Sequence, residues 1–135
     1  MPSPQPEGPA AQTAYAGRSL HMVWIRTADG IERWRLGAHG IIEHFTSDRG
    51  WIRQDSGVDT NLTAGSAPSP NACWVVGSGG TILRTDDGER WQRVGSPTSA
   101  NFAAVSAIDA SSATVTTADG RRFSTSDTGR TWRPM

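Results

Sequence analysis

Apolar residues along this chain come in short runs, never long enough for a helix face or a membrane span. Ala72-Cys73-Trp74-Val75-Val76 is unbroken, whereas Ile41-Ile42-Glu43-His44-Phe45 and Ala113-Thr114-Val115-Thr116-Thr117 carry polar residues within them. The runs are rich in β-branched and aromatic residues and bounded by Gly, Pro, Asn, Asp and Ser, the pattern of short strands joined by turns. No segment shows a helical period. First strands are predicted at 62–66 and 102–107, and second strands at 33–36, 72–76 and 113–117. Third strands are predicted at 41–45, 81–84 and 121–124, and a fourth begins at Trp91. Ala38-His39-Gly40, Ser78-Gly79-Gly80 and Ala118-Asp119-Gly120 read as hairpin turns that need residues tolerant of positive φ.

The strands repeat. Steps of 40 lead from Gly40 to Gly80 to Gly120. Gly37 and Gly77 lie three residues before the first two of these, and Trp34 and Trp74 six before, with Thr117 and Thr114 in the third copy. Met22, Leu62 and Phe102 align in the same register, as do Trp24, Ala64 and Ala104. Four strands per repeat of about 40 residues predict an all-β fold of three four-stranded antiparallel β-propeller blades. The expected organisation is a Pro/Ala-rich leader or linker at 1–17 and a blade array at 18–135, with blades at about 18–57, 58–97 and 98–135.

Each copy carries a second signal, Asp-x-Gly. Copy three reads Thr125-Ser126-Asp127-Thr128-Gly129-Arg130-Thr131-Trp132 and copy two Arg84-Thr85-Asp86-Asp87-Gly88-Glu89-Arg90-Trp91, with Arg84 and Arg90 at the hydroxyl positions. Copy one reads Thr46-Ser47-Asp48-Arg49-Gly50-Trp51. Copy three resembles the Asp-box, or bacterial neuraminidase repeat, in full. With Trp34-Arg35-Leu36-Gly37, Cys73-Trp74-Val75-Val76-Gly77 and Thr81-Ile82-Leu83-Arg84-Thr85, the chain resembles the photosystem II assembly and stability factor propellers over about residues 20 to 134. Thr46, Asp48, Gly50, Asp86, Gly88, Trp91, Thr125, Asp127, Gly129 and Trp132 are expected to build the turns rather than chemistry. An Asp there accepts hydrogen bonds from its own turn, and Trp fills space within or between blades.

Composition narrows the function. Thirteen basic residues balance thirteen acidic ones, so no field draws nucleic acid. All the basic residues are arginines. The single Cys73, beside Trp74, reads as a buried free thiol. The proline-rich start lacks the basic and apolar regions of a signal peptide. The compartment stays open, extracytoplasmic if the domain comes from an anchored parent. No catalytic, cofactor or metal residues are expected. The only tyrosine is Tyr15, outside the repeats, and His39, Glu43 and His44 lack metal-motif spacing on a turn and strand.

The resemblance implies a non-enzymatic module that binds a protein partner, as assembly factors do. Trp34, Trp74, Arg35, Arg84 and Arg122 are the candidate contact residues. The alternatives are a lectin-like propeller stacking tryptophans on a glycan and, last, a degenerate glycosidase. Three blades also raise a closure problem, since propellers use four to eight. Both end faces are expected to be lined with apolar and aromatic groups, so the ring is either incomplete or completed by a homo-oligomer.

Overall fold

The computed structural model describes residues 22–27 and 29–135, so the predicted 1–17 leader lies outside the described residues. Twelve strands run in chain order. They are β1 Val23–Arg26, β2 Glu32–Leu36, β3 Ile42–Thr46, β4 Gly50–Gln54, β5 Leu62–Ser69 and β6 Ala72–Gly77. Then come β7 Ile82–Thr85, β8 Gln92–Arg93, β9 Phe102–Ala107, β10 Ala113–Thr117, β11 Arg122–Thr125 and β12 Arg133–Pro134. They form three four-stranded meanders, β1–β4, β5–β8 and β9–β12, all antiparallel. The turns that begin at Ala38 and Ser78 are single 3₁₀ turns, with His39 at φ 59° and Gly79 at φ 67°.

The core lies between sheets because a single sheet of short strands cannot bury both of its faces. Alternation along β6 sends Cys73 and Val75 to the first sheet and Trp74 and Val76 to the third. All of β6 is therefore buried, as an inner strand covered on both faces must be. Between sheets one and two, Ile25, Trp34, Leu36 and Ile42 pack against Leu62, Ala67, Cys73, Val75 and Leu83. Between two and three, Trp74, Val76 and Ile82 pack against Phe102, Ala113 and Val115.

Each incoming strand is also tied to the turn of the sheet before it. Leu62 N donates to Gly37 O of the preceding sheet at 3.1 Å, while Ser78 N and Ala118 N donate to Asn61 O and Asn101 O at 2.9 and 2.8 Å within their own sheets and so fix where the two asparagines sit. The side chains of these two asparagines, 40 residues apart, accept from His39 N and Gly79 N at 3.3 and 2.8 Å. The same seam is thus built twice from the same residue type.

The end faces differ from the expectation of two apolar surfaces. The third sheet turns Thr114, Thr116, Arg122, Ser124 and Arg133 away from the core, so its free face is polar. On the first sheet the free face mixes tryptophans with an ion pair.

Candidate functional site

The free face of the first sheet is built from alternate residues of all four strands. Pairing places Trp24 opposite Arg35, Arg35 opposite Glu43, and Glu43 opposite Arg53, with Phe45 opposite Trp51. Strand alternation puts these side chains on the side away from Trp34 and Leu36. Trp24 and Trp51 meet edge to face, 5.3 Å between centroids at 88°. The Arg35 guanidinium sits 4.3 Å from the Trp51 ring centroid and 5.3 Å from that of Trp24, a cation–π arrangement. Its Nε donates to Glu43 Oε1 at 2.5 Å, and Arg53 reaches Glu43 Oε2 at 3.4 Å. Trp24 is 48% exposed, and Arg26 and Arg53 also face solvent.

Three of the sequence-predicted contact residues are not on any surface. Trp34 and Trp74 are fully buried between sheets, where they fill the core. Trp74 Nε1 donates to Asp109 O of the third sheet at 3.2 Å. Arg84 is buried beside it, its Nε donating to Ala110 O at 2.6 Å and its guanidinium 6.0 Å from the Trp74 ring centroid. Those three serve the interface rather than a partner. Arg35 and Arg122 lie on free faces, and sequence reading passed over Trp24 and Arg53, which complete the first.

The Asp-containing turns differ among copies. In the third, Thr125 Oγ1 donates to Asp127 Oδ1 at 2.7 Å and accepts from Gly129 N at 2.9 Å. Asp127 also accepts from Thr131 N and Thr131 Oγ1, at 3.0 and 2.6 Å. In the second, Asp87 rather than Asp86 does this work. Asp87 Oδ1 accepts from Thr85 Oγ1 at 3.0 Å and from the amides of Glu89 and Arg90 at 2.9 Å, while Gly88 N bonds Thr85 Oγ1. Asp86 instead pairs with Arg84 at 3.2 Å. In the first copy Thr46 faces Gly50 across a plain hairpin, and Asp48 makes no such bonds among the described residues. The reason is register: 40 residues before Thr85 stands Phe45, which has no hydroxyl, and before Asp87 stands Ser47.

The turn tryptophans tie sheets together. Trp91 Nε1 donates to Gln54 Oε1 of the first sheet at 2.8 Å, with Gln54 Nε2 returning a bond to Gly88 O. Trp132 Nε1 donates to Gly95 O at 2.8 Å. Each ring meets the buried tryptophan of the preceding sheet edge-on, Trp91 against Trp34 and Trp132 against Trp74.

These networks set the titration of the turns. The hydrogen bonds from Arg90 and Glu89 amides hold Asp87 at about 2, and those from Thr131 hold Asp127 at about 2. A carboxyl depressed in the folded state stabilises it above the ordinary 3.8, and that contribution is lost as pH falls through about 2. Urea midpoints followed by tryptophan fluorescence should therefore decline across that window, and Asp127→Asn should make the decline shallower. An unchanged pH profile in Asp127→Asn would detach the carboxylate from stability.

Between the first and second sheets a cleft of about 550 Å³ opens on the turn side, lined by His44, Thr46, Asp48, Gln54, Asp87 and Glu89 among others. His44 is stacked 4.5 Å from Trp34, and burial, with Arg33 nearby, pushes its pKa down, so it is neutral near pH 7. Every carboxyl with a resolved shift among the described residues is shifted down. No group of three metal-ligating side chains occurs among the described residues.

Compared with known proteins, the chain matches no protein-family model, and no curated protein matches it. Solved structures do. A structure of YCF48 bound to a D1 peptide superposes with a TM-score of 0.66 at 19% identity, over 90% of this chain and 45% of that one. YCF48 from Cyanidioschyzon merolae gives 0.64 at 21% identity, over 75% of this chain and 34% of that one. The fold is that of β-propeller blades. The chain spans less than half the length of the YCF48 chains it matches.

Proposed function

We propose that this chain is a non-enzymatic, assembly-factor-like protein-interaction module that docks its partner on the free face of the first sheet. The observation that carries this reading is the half-exposed Trp24 beside Trp51, with Arg35 held over both rings and Arg53 at the rim. Tryptophan and arginine dominate the energetics of protein contacts, because each covers a large area and arginine adds directed bonds. Three arginines, Arg26, Arg35 and Arg53, stand here against Glu32 and Glu43. The excess positive charge suits a partner segment that presents carboxylates beside an apolar side chain. A propeller of similar fold, YCF48, has been captured with a peptide of D1, which supports a peptide-sized partner here.

A lectin role has less behind it. Trp34 and Trp74 are fully buried, and the half-exposed Trp24 meets Trp51 at 88°, which gives no flat two-ring platform for a sugar.

Selection from a random displayed-peptide library tests the reading. Enriched peptides should carry Asp, Glu or a free carboxyl terminus next to an apolar residue. Their binding should fall about tenfold or more in Trp24→Ala and in Arg53→Glu, as expected for hot-spot residues, and stay unchanged in Arg122→Ala. Binding that is lost in Arg122→Ala and kept in Trp24→Ala would move the docking face to the third sheet and overturn the assignment.

A further inference from the structure

Strand pairing within each sheet allows each covered position to be compared with its counterpart on a free face. Toward the preceding sheet, the second sheet presents the row Gly65, Val75, Leu83 and Arg93. The third presents Val105, Val115, Phe123 and Pro134. The corresponding row of the first sheet is Trp24, Arg35, Glu43 and Arg53. Where the covered faces of the second and third sheets carry Val and Leu or Phe, the first carries an arginine paired with a glutamate.

The other side shows the same replacement. Toward the next sheet, the first sheet presents Trp34, Leu36 and Ile42, and the second presents Trp74, Val76 and Ile82, all fully buried. Their counterparts on the third sheet are Thr114, Thr116 and Arg122. Three positions that form the centre of both interfaces are polar only on the face that no described sheet covers.

The tryptophans repeat the logic. Trp51 stands 40 residues before Trp91, whose ring reaches across to Trp34 of the preceding sheet at 6.5 Å. Trp51 instead lies over its own sheet, 5.3 Å from Trp24 and 5.4 Å from Phe45, and Arg35 closes on it. The group that elsewhere grips a preceding sheet is here turned onto its own.

We propose that the two free faces of the three described sheets are caps, which do not take a second copy of this chain by the packing used between its sheets. Terminal repeats of stacked arrays carry polar outer faces for this purpose. Stacking two copies head to tail would bury the Arg35–Glu43 pair under an apolar-poor surface and set Arg122 and Arg133 against Arg35 and Arg53. Like charges pressed together without water oppose that contact, and a buried ion pair does not offset its own desolvation. The residues that suit blade packing are absent on both sides of such a joint. Capping is independent of the docking role, since a short peptide needs neither a flat sheet nor an apolar row.

Sedimentation velocity on the full chain, over a wide concentration range, provides the first test. The expected mass is that of one chain, 14.4 kDa, throughout. A mass that climbs with concentration, and falls back when Thr116→Asp is introduced, would overturn the proposal. The second test converts the caps to the inner residues: Arg35→Val and Glu43→Leu on the first sheet with Thr116→Val and Arg122→Ile on the third. This variant should reach a weight-average mass of about twice one chain or more as concentration rises. If it remains folded by circular dichroism and stays at one chain, polar replacement is not what keeps the faces apart, and the proposal fails.

Discussion

Trp74→Ala is expected to destabilise the array by about 3–5 kcal/mol, the cost of deleting a large buried aromatic side chain and leaving its cavity. Trp74 is fully buried at the centre of the second interface, among Val76, Ile82, Phe102, Ala113 and Val115. Three separate contacts go with it. Loss of its Nε1 leaves Asp109 O without that donor, Trp132 loses the ring it meets edge-on at 6.2 Å, and Arg84 loses the face above which it lies. A domain of this size has about 5–15 kcal/mol in total, so the loss takes much of it. Urea unfolding at equilibrium reads the effect, and Trp24→Ala is the control, at about 1 kcal/mol or less because that ring is half exposed. Trp34→Ala should resemble Trp74→Ala. A Trp74→Ala loss no larger than that of Trp24→Ala would mean that the second and third sheets are held by their backbone seams and not by this cluster.

The equivalence of Trp34 and Trp74 is legible in the chain itself, because the 40-residue step runs without a gap through the strands. So are the three sheets and the turn glycines. The side on which each tryptophan lies is not. Every residue of β6 is apolar, and a strand buried on both faces gives no alternation from which to read direction. By sequence, Trp74 and Arg84 are therefore as available for contact as Trp24. The second turn misleads for a related reason. Aligning on Asp-x-Gly selects Asp86, yet the fold aligns on the hydroxyl two residues before the carboxylate, Thr85 before Asp87 and Thr125 before Asp127. Thr85 sits at the 40-residue position of Thr125, so the step that reveals the strands also corrects the turn. The polar end faces are present in the sequence as well, in Arg35 against Val75 and Val115, and in Thr116 against Val76 and Leu36. They become readable only once strand pairing says which of these share a side.

Gly80→Ala is expected to cost about 2–5 kcal/mol, combining left-handed strain with a forced backbone contact. Gly80 has φ 78°, and a Cβ there would stand 2.3 Å from Thr98 O and 3.0 Å from Ser99 Cα, in the segment that leads into the third sheet. Backbone atoms cannot swing aside as a side-chain end can, so the linker must shift and loosen the seam made by Asn101. Gly120, the third member of the series, separates the two contributions. Its φ is 93°, yet a Cβ there would meet nothing within 4 Å among the described residues. Gly120→Ala should therefore show the strain alone, about 1–2 kcal/mol. Gly40→Ala should match Gly80→Ala, since Val58 O, 40 residues before Thr98 O, would lie 2.0 Å from the added carbon. Urea midpoints for the three variants give the comparison. Equal losses at all three positions would show that the linkers yield freely and that the sheets are joined only through their cores. A loss confined to Gly40 and Gly80 would locate part of the stability of the array in the two seams that repeat between its sheets.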